Sequence, residues 1–172
     1  MLFNGIWKCA AAGALAIAMT APGSMVAQAS GDTVLKQAEM QKLLPATVFY
    51  RGQSAPTQLR NSGGVKLSDG YYLLAALVDT SGYTTGVQEK YQAWFVTEVP
   101  IKVGGQSLAA GSYGAGFVDG KFLITDVGAH DLLAATASED SELKRPTPLQ
   151  VVADPAGGYR LYAGRKYVIL SR

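Results

Sequence analysis

Cysteine and histidine are almost missing from this chain: one of each occurs in 172 residues, Cys9 and His130. A lone cysteine excludes an internal disulfide and any centre built on paired thiolates. A lone histidine excludes zinc sites made from two or three imidazoles. Charge is sparse and mixed in sign, with 15 Lys and Arg against 13 Asp and Glu and no basic run. That balance gives no support for nucleic-acid binding or for attachment to an anionic membrane surface. No G-x-x-x-x-G-K-[ST] loop, no G-x-G-x-x-G turn after a strand and no D-x-[DN]-x-[DN]-G calcium loop occurs. The nucleophile elbow G-x-S-x-G is missing as well. No metal and no cofactor is implied by the residues present.

Long apolar runs are also scarce. Cys9 to Met19 (CAAAGALAIAM) is apolar, but it is shorter than the roughly 20 residues a spanning helix needs. Lys8 precedes it, and Val26-Ala27-Gln28-Ala29 follows with small residues at the positions signal peptidase reads. Residues 1–29 are therefore expected to be a cleavable signal peptide, with Ser30 as the first mature residue. Cys9 follows a lysine and precedes the apolar stretch, the reverse of a lipoprotein signal. The expectation is an exported protein, periplasmic or extracellular, with no integral membrane segment left after cleavage. An exported domain without disulfides must rely on its core, and residues 30–172 are numerous enough to build one.

What is present is mostly strand and turn. Asp32 to Leu44 (DTVLKQAEMQKLL) carries apolar residues near a 3.6 period, with Asp32 as N-cap and Pro45 as the stop. A short amphipathic helix is expected within residues 30–45, ahead of a single β domain over 46–172. Strands are expected at Thr47–Arg51, Thr57–Asn61, Val65–Leu67, Tyr71–Asp79, Tyr91–Val99, Ile101–Val103 and Gln106–Leu108. Further strands are expected at Ser112–Val118, Lys121–Val127, Leu149–Ala153, Tyr159–Ala163 and Lys166–Leu170. Asp69-Gly70, Gly104-Gly105, Asp119-Gly120 and Gly164-Arg165 mark hairpins, since paired positive φ angles suit Gly and are tolerated by Asp. The fold class is mainly β: one antiparallel barrel or sandwich.

Three finer expectations follow. Leu73 to Val78 has almost no polar alternation, which predicts a strand covered on both faces, one cover being the N-terminal helix. Residues 131–143 lie in the one long connection, 128–148; Leu- and Ala-rich Asp131–Ser138 predicts a helical excursion there, capped by Asp131 and serving as lid or plug. Gly114-Ala115-Gly116 inside a strand predicts a bend or bulge.

Functional candidates fall into three groups. Tyr83, Tyr91 and Trp94 flank the Ser81–Lys90 loop, and aromatic rings with polar tips suit sugars and other amphipathic ligands. Asp126, His130 and Asp131 form the one local acid–base cluster, in which a carboxylate orienting an imidazole would serve a hydrolase. Asp79, Glu89 and Glu98 are strand-end carboxylates of the type glycosidases pair. Exclusion favours a non-enzymatic binding or accessory module for a small-molecule or glycan ligand. The alternatives are a hydrolase using carboxylates and the lone histidine, and a structural partner domain of the cell envelope.

Overall fold

The computed structural model describes residues 31–172. The expected signal peptide and its cleavage site lie outside the described residues. The elements run β1 (Thr33–Val34), α1 (Gln37–Leu43), β2 (Thr47–Tyr50), β3 (Gln53–Lys66), β4 (Tyr72–Val78), α2 (Thr85–Lys90) and β5 (Ala93–Thr97). They continue with β6 (Ile101–Val103), β7 (Gln106–Leu108), β8 (Gly111–Val118), β9 (Lys121–Thr125) and β10 (Asp131–Thr136). The last four are β11 (Ser138–Glu139), β12 (Gln150–Ala153), β13 (Tyr159–Ala163) and β14 (Lys166–Ser171).

Two antiparallel sheets result. One has the order β1-β3-β4-β5-β8-β9-β10, with β2 paired to β3; the other has the order β12-β13-β14-β6-β7, with β11 paired to β14. Their inner faces share a core that includes Val65, Phe95, Phe122, Ile124, Leu161, Val168 and Leu170. The arrangement is consistent with a β-sandwich, and no closed barrel forms among the described residues.

The apolar run of β4 is covered on both sides. Leu73 and Ala75 enter the inter-sheet core, while Leu74 and Ala76 lie under Met40 and Leu44, on and just after α1. Gly64 makes this approach possible, because a Cβ there would lie 2.9 Å from the Met40 sulfur. The helix is shorter than expected, starting at Gln37, and its first turn is closed by the Glu39 carboxylate accepting from the Lys36 amide at 2.7 Å. Asp32 does not cap it. Thr33 and Val34 pair with Lys66 and Val65 instead, and Asp32 accepts from the Ser68 amide.

Other expectations need correction. The helical excursion does not form: Asp131–Thr136 is strand β10, paired along β9 with a register shift between Asp131 and Leu133. Leu133 and Ala135 are buried between exposed neighbours, so a period of two decides the structure over Leu and Ala helix propensity. The 128–148 connection is accordingly not a helical plug. It supplies two strands, and its charged part is tied to the second sheet, where Arg165 donates to the carbonyls of Asp140 and Ser141.

Thr57–Asn61 and Val65–Lys66 belong to one long strand, β3 (Leu67 falls just past its end), irregular between Thr57 and Ser62. Asp119-Gly120 is a two-residue turn as expected, with φ of 48° and 73° and Val118 opposite Lys121. Only Gly70 of the Asp69-Gly70 pair has positive φ, so that connection is a longer loop closed by Leu67 and Tyr71.

Candidate functional site

Among the described residues, a recess that combines volume with chemistry lies at one end of the two sheets. It is a cavity of about 380 Å³ bounded by Leu67, Leu73, Ile101 and Tyr159, with Asp32, Ser171, Arg172 and the turn Ala156-Gly157-Gly158 at its rim. That volume falls in the roughly 300–1,000 Å³ range of small-ligand pockets. Leu67, Leu73 and Ile101 are only 3, 4 and 4% exposed, so the floor is apolar and anchored in the core.

Each rim group is positioned by local structure. The Asp154 carboxylate is buried on the β12–β13 turn, where it accepts from the Ala156 amide at 2.7 Å and pairs with the Arg160 guanidinium. The Gly157 amide donates to the Asp154 carbonyl, and the Asp154 amide to the Gly158 carbonyl. Gly158 has φ of 81°, and a Cβ there would lie 2.4 Å from the Leu170 carbonyl oxygen. Only glycine lets this wall pass so close to β14.

At the opposite rim, the Tyr159 hydroxyl donates to Asp32 Oδ2 at 2.5 Å, and the Ser68 amide donates to Asp32 Oδ1 at 2.8 Å. Burial raises the Asp32 pKa, but the Tyr159 and Ser68 hydrogen bonds and the Arg172 charge outweigh it and hold the carboxyl below its ordinary value. Burial and the neighbouring Asp32 carboxylate push the Tyr159 phenol well above its ordinary pKa. Arg172 pairs with Asp69 at 2.5 Å. The site is thus an apolar floor with one anion held by neutral donors, beside a completed ion pair.

Comparison with known proteins finds no matching family model, no matching curated protein and no matching solved structure. The chain's own geometry therefore carries the functional argument.

The structure places the expected site residues elsewhere. Tyr91 is fully buried, stacked on Tyr50 with ring centroids 3.7 Å apart and edge-on to Tyr83. Tyr83 is 8% exposed, and its hydroxyl donates to the Tyr50 and Gln53 carbonyls. The Ser81–Lys90 segment is not simply a loop, since it carries α2, which packs Val87 into the same tyrosine cluster. Trp94 faces away from the inter-sheet core. It is partly buried between the cluster around Tyr91 and that around Met40, and its indole N–H donates to Ser112 Oγ at 2.7 Å.

The glycines of β8 explain this second layer. The strand pairs with β9 through 114–116 and with β5 as far as Ala115, with no register shift, so no bulge occurs there. Instead a Cβ on Gly114 would meet Thr125, Tyr50 and Tyr91, and one on Gly116 would lie 2.5 Å from the Lys90 carbonyl oxygen. These glycines are the floor on which α2 and the tyrosines rest.

Asp126 and His130 do meet, with Nδ1 2.9 Å from Oδ2. The Asp126 carboxyl is held below its ordinary pKa first by the His130 backbone amide, then by the His130 imidazole, with the Gly128 amide adding to them. The carboxylate thus organises a tight turn containing Ala129 at φ 69°. Asp131 is drawn away from this pair to Lys90, at 2.8 Å. The other carboxylates do not converge. Asp79 accepts from the Ser81 amide beyond one end of β4, and Glu98 accepts from the Tyr72 amide at the other. Among the described residues no group of three or more His, Cys, Asp or Glu side chains is placed to hold a metal.

Sequence reasoning missed Asp32, Tyr159 and Arg172. Asp32 and Tyr159 are 127 residues apart, and no local pattern connects them. The available signal was Gly157-Gly158-Tyr159, which reads as a turn and only in three dimensions as a pocket wall.

Proposed function

We propose that the chain is an exported, non-enzymatic binding module whose ligand is a small amphipathic molecule held in the end recess. The single observation that carries this reading is the 380 Å³ cavity with a core-anchored apolar floor and hydrogen-bonding groups at one rim. Such a site offers burial energy to an apolar body and orientation to a polar head. A hydrolytic role has weaker support, because the Asp126–His130 contact is accounted for by its turn and Asp131 is paired with Lys90.

The test is titration of a small-amphiphile panel against wild type and Ala156→Trp. Ala156 is an exposed turn residue at the rim, so the indole should obstruct the recess without touching the core. Affinity is expected to fall at least about tenfold, or 1.4 kcal/mol. Binding that is unchanged in Ala156→Trp would place the site elsewhere.

Export is part of the proposal. Intact mass of the protein recovered outside the cytoplasm should correspond to a chain beginning at Ser30. Retention of Met1 in a membrane fraction would contradict it. Among the described residues no helix is long and apolar enough to cross a membrane.

One observation favours the structural-partner reading. Phe49 and Val127 are 65 and 50% exposed, on segments joined by a 2.8 Å hydrogen bond from the Arg51 amide to the Val127 carbonyl. Release of the protein from a cell-envelope assembly by Phe49→Ser, with ligand binding unaffected by Ala156→Trp, would support that alternative.

A further inference from the structure

We propose that the molecule held in the end recess is a cationic amphiphile, an alkyl- or arylammonium compound whose head group lies against Asp32 and Tyr159. This inference rests on the binding reading above and adds the charge of the ligand to it.

Three charged side chains stand at or beside the mouth: Asp32, Asp69 and Arg172. The Arg172 guanidinium is already answered by Asp69 at 2.5 Å. Among the described residues Asp32 has no cation in contact. Its hydrogen bonds come from neutral donors, the Ser68 amide and side chain and the Tyr159 hydroxyl. A carboxylate offers about four acceptor positions, so about one remains for a ligand. Among the described side chains the mouth therefore carries one net negative charge beside an apolar floor, where a low local dielectric strengthens its attraction for a cation. The hydrogen bonds and the Arg172 charge that hold the carboxyl below its ordinary pKa keep that charge in place at neutral pH.

The donor and acceptor pattern points the same way. Tyr159 spends its proton on Asp32, so its oxygen has only lone pairs left to offer. Both groups then accept, and an ammonium brings three donors and no acceptor. An alcohol satisfies one acceptor without answering the charge. A carboxylate meets repulsion from Asp32, and the nearby Arg172 is already paired. The floor of Leu67, Leu73 and Ile101 selects an apolar body in each case.

The experiment is calorimetric titration at pH 7 with octylammonium, octanol and octanoate, each below its micelle concentration. Wild type, Asp32→Asn, Arg172→Gln and Ala156→Trp are compared. Octylammonium is expected to bind wild type at least about tenfold tighter than octanol, and octanoate weakest. Asp32→Asn keeps an oxygen for the Ser68 amide, turns its amide NH2 toward the Tyr159 hydroxyl, which can accept from it, and loses the charge, so it should bring octylammonium to within about twofold of octanol. Arg172→Gln alters an exposed side chain outside the core and frees Asp69, so it should tighten octylammonium binding. This variant keeps the proposal testable should Asp32→Asn fold poorly. Equal binding of octanol and octylammonium, or preference for octanoate, with Ala156→Trp still blocking, would overturn the charge inference and leave the binding reading intact. No binding by any of the three compounds would remove both.

Discussion

Replacing Tyr91 by alanine is expected to lower the unfolding free energy by about 3–5 kcal/mol, the range for deleting a fully buried aromatic ring, whereas Tyr91→Phe is expected to raise it by about 1 kcal/mol. The ring is held by stacking on Tyr50 and by the edge contact with Tyr83. It also lies against Gly114, where no other residue leaves room for it. Alanine would leave a cavity between β8 and α2 that the flanking rings cannot refill. The hydroxyl is a different matter, being buried without a hydrogen-bond partner among the described residues. A buried donor left unpaired costs about 1–3 kcal/mol, and phenylalanine removes that cost while keeping the ring. Burial is also the first reason the Tyr91 phenol resists ionisation, with Tyr83 and Tyr50 adding to it. Tyr50→Phe should act in the opposite direction, because the Tyr50 hydroxyl is paired with Thr125 at 2.7 Å. Urea denaturation of the variants decides the matter. If Tyr91→Phe proved as damaging as Tyr91→Ala, the hydroxyl would have to be bonded after all.

Gly116→Val should cost about 3 kcal/mol, the upper end of ordinary overpacking. The added Cβ would lie 2.5 Å from the Lys90 carbonyl oxygen and 3.2 Å from that of Glu89. Both are backbone atoms, so no side-chain rotation relieves the contact. The C-terminal end of α2 must lift from β8, and Val87 and Tyr91 must then loosen from the cluster they share with Tyr83. The observable consequences are a lower denaturation midpoint and faster proteolysis within residues 80–90. A change below about 0.5 kcal/mol, typical of a surface site, would show that α2 does not rest on this strand.

Neither of these two sites was legible in the sequence, although other parts of the fold were. Leu73 to Val78 announced two-sided burial because no polar residue interrupts it, and the structure supplies both covers, the inner core and α1. Asp119-Gly120 announced its turn because so few residue pairs accept positive φ at both positions. Asp131–Thr136 misled because leucine and alanine favour helix in isolation, while the pairing that makes β10 a strand comes from β9. Gly114 and Gly116 suggested a bend or bulge in their strand. They are contact points, and what they contact is distant in sequence or in another layer. For the same reason Tyr83 and Tyr91 suggested a ligand rim, since an aromatic that packs on a glycine and one that awaits a sugar look alike in sequence. Asp32 was read as a helix cap because it precedes an amphipathic segment. Its partners, Ser68 and Tyr159, become neighbours only when the sheets assemble.

The central claim is that the end recess is a ligand site, and methyl NMR during titration with an amphiphile tests it most directly. The account predicts that shifts concentrate on the methyl groups of Leu67, Leu73 and Ile101, which form the apolar floor, and saturate with one affinity. Shifts confined to Val127 and the residues beside Phe49, or none at the recess while the ligand still binds, would contradict it.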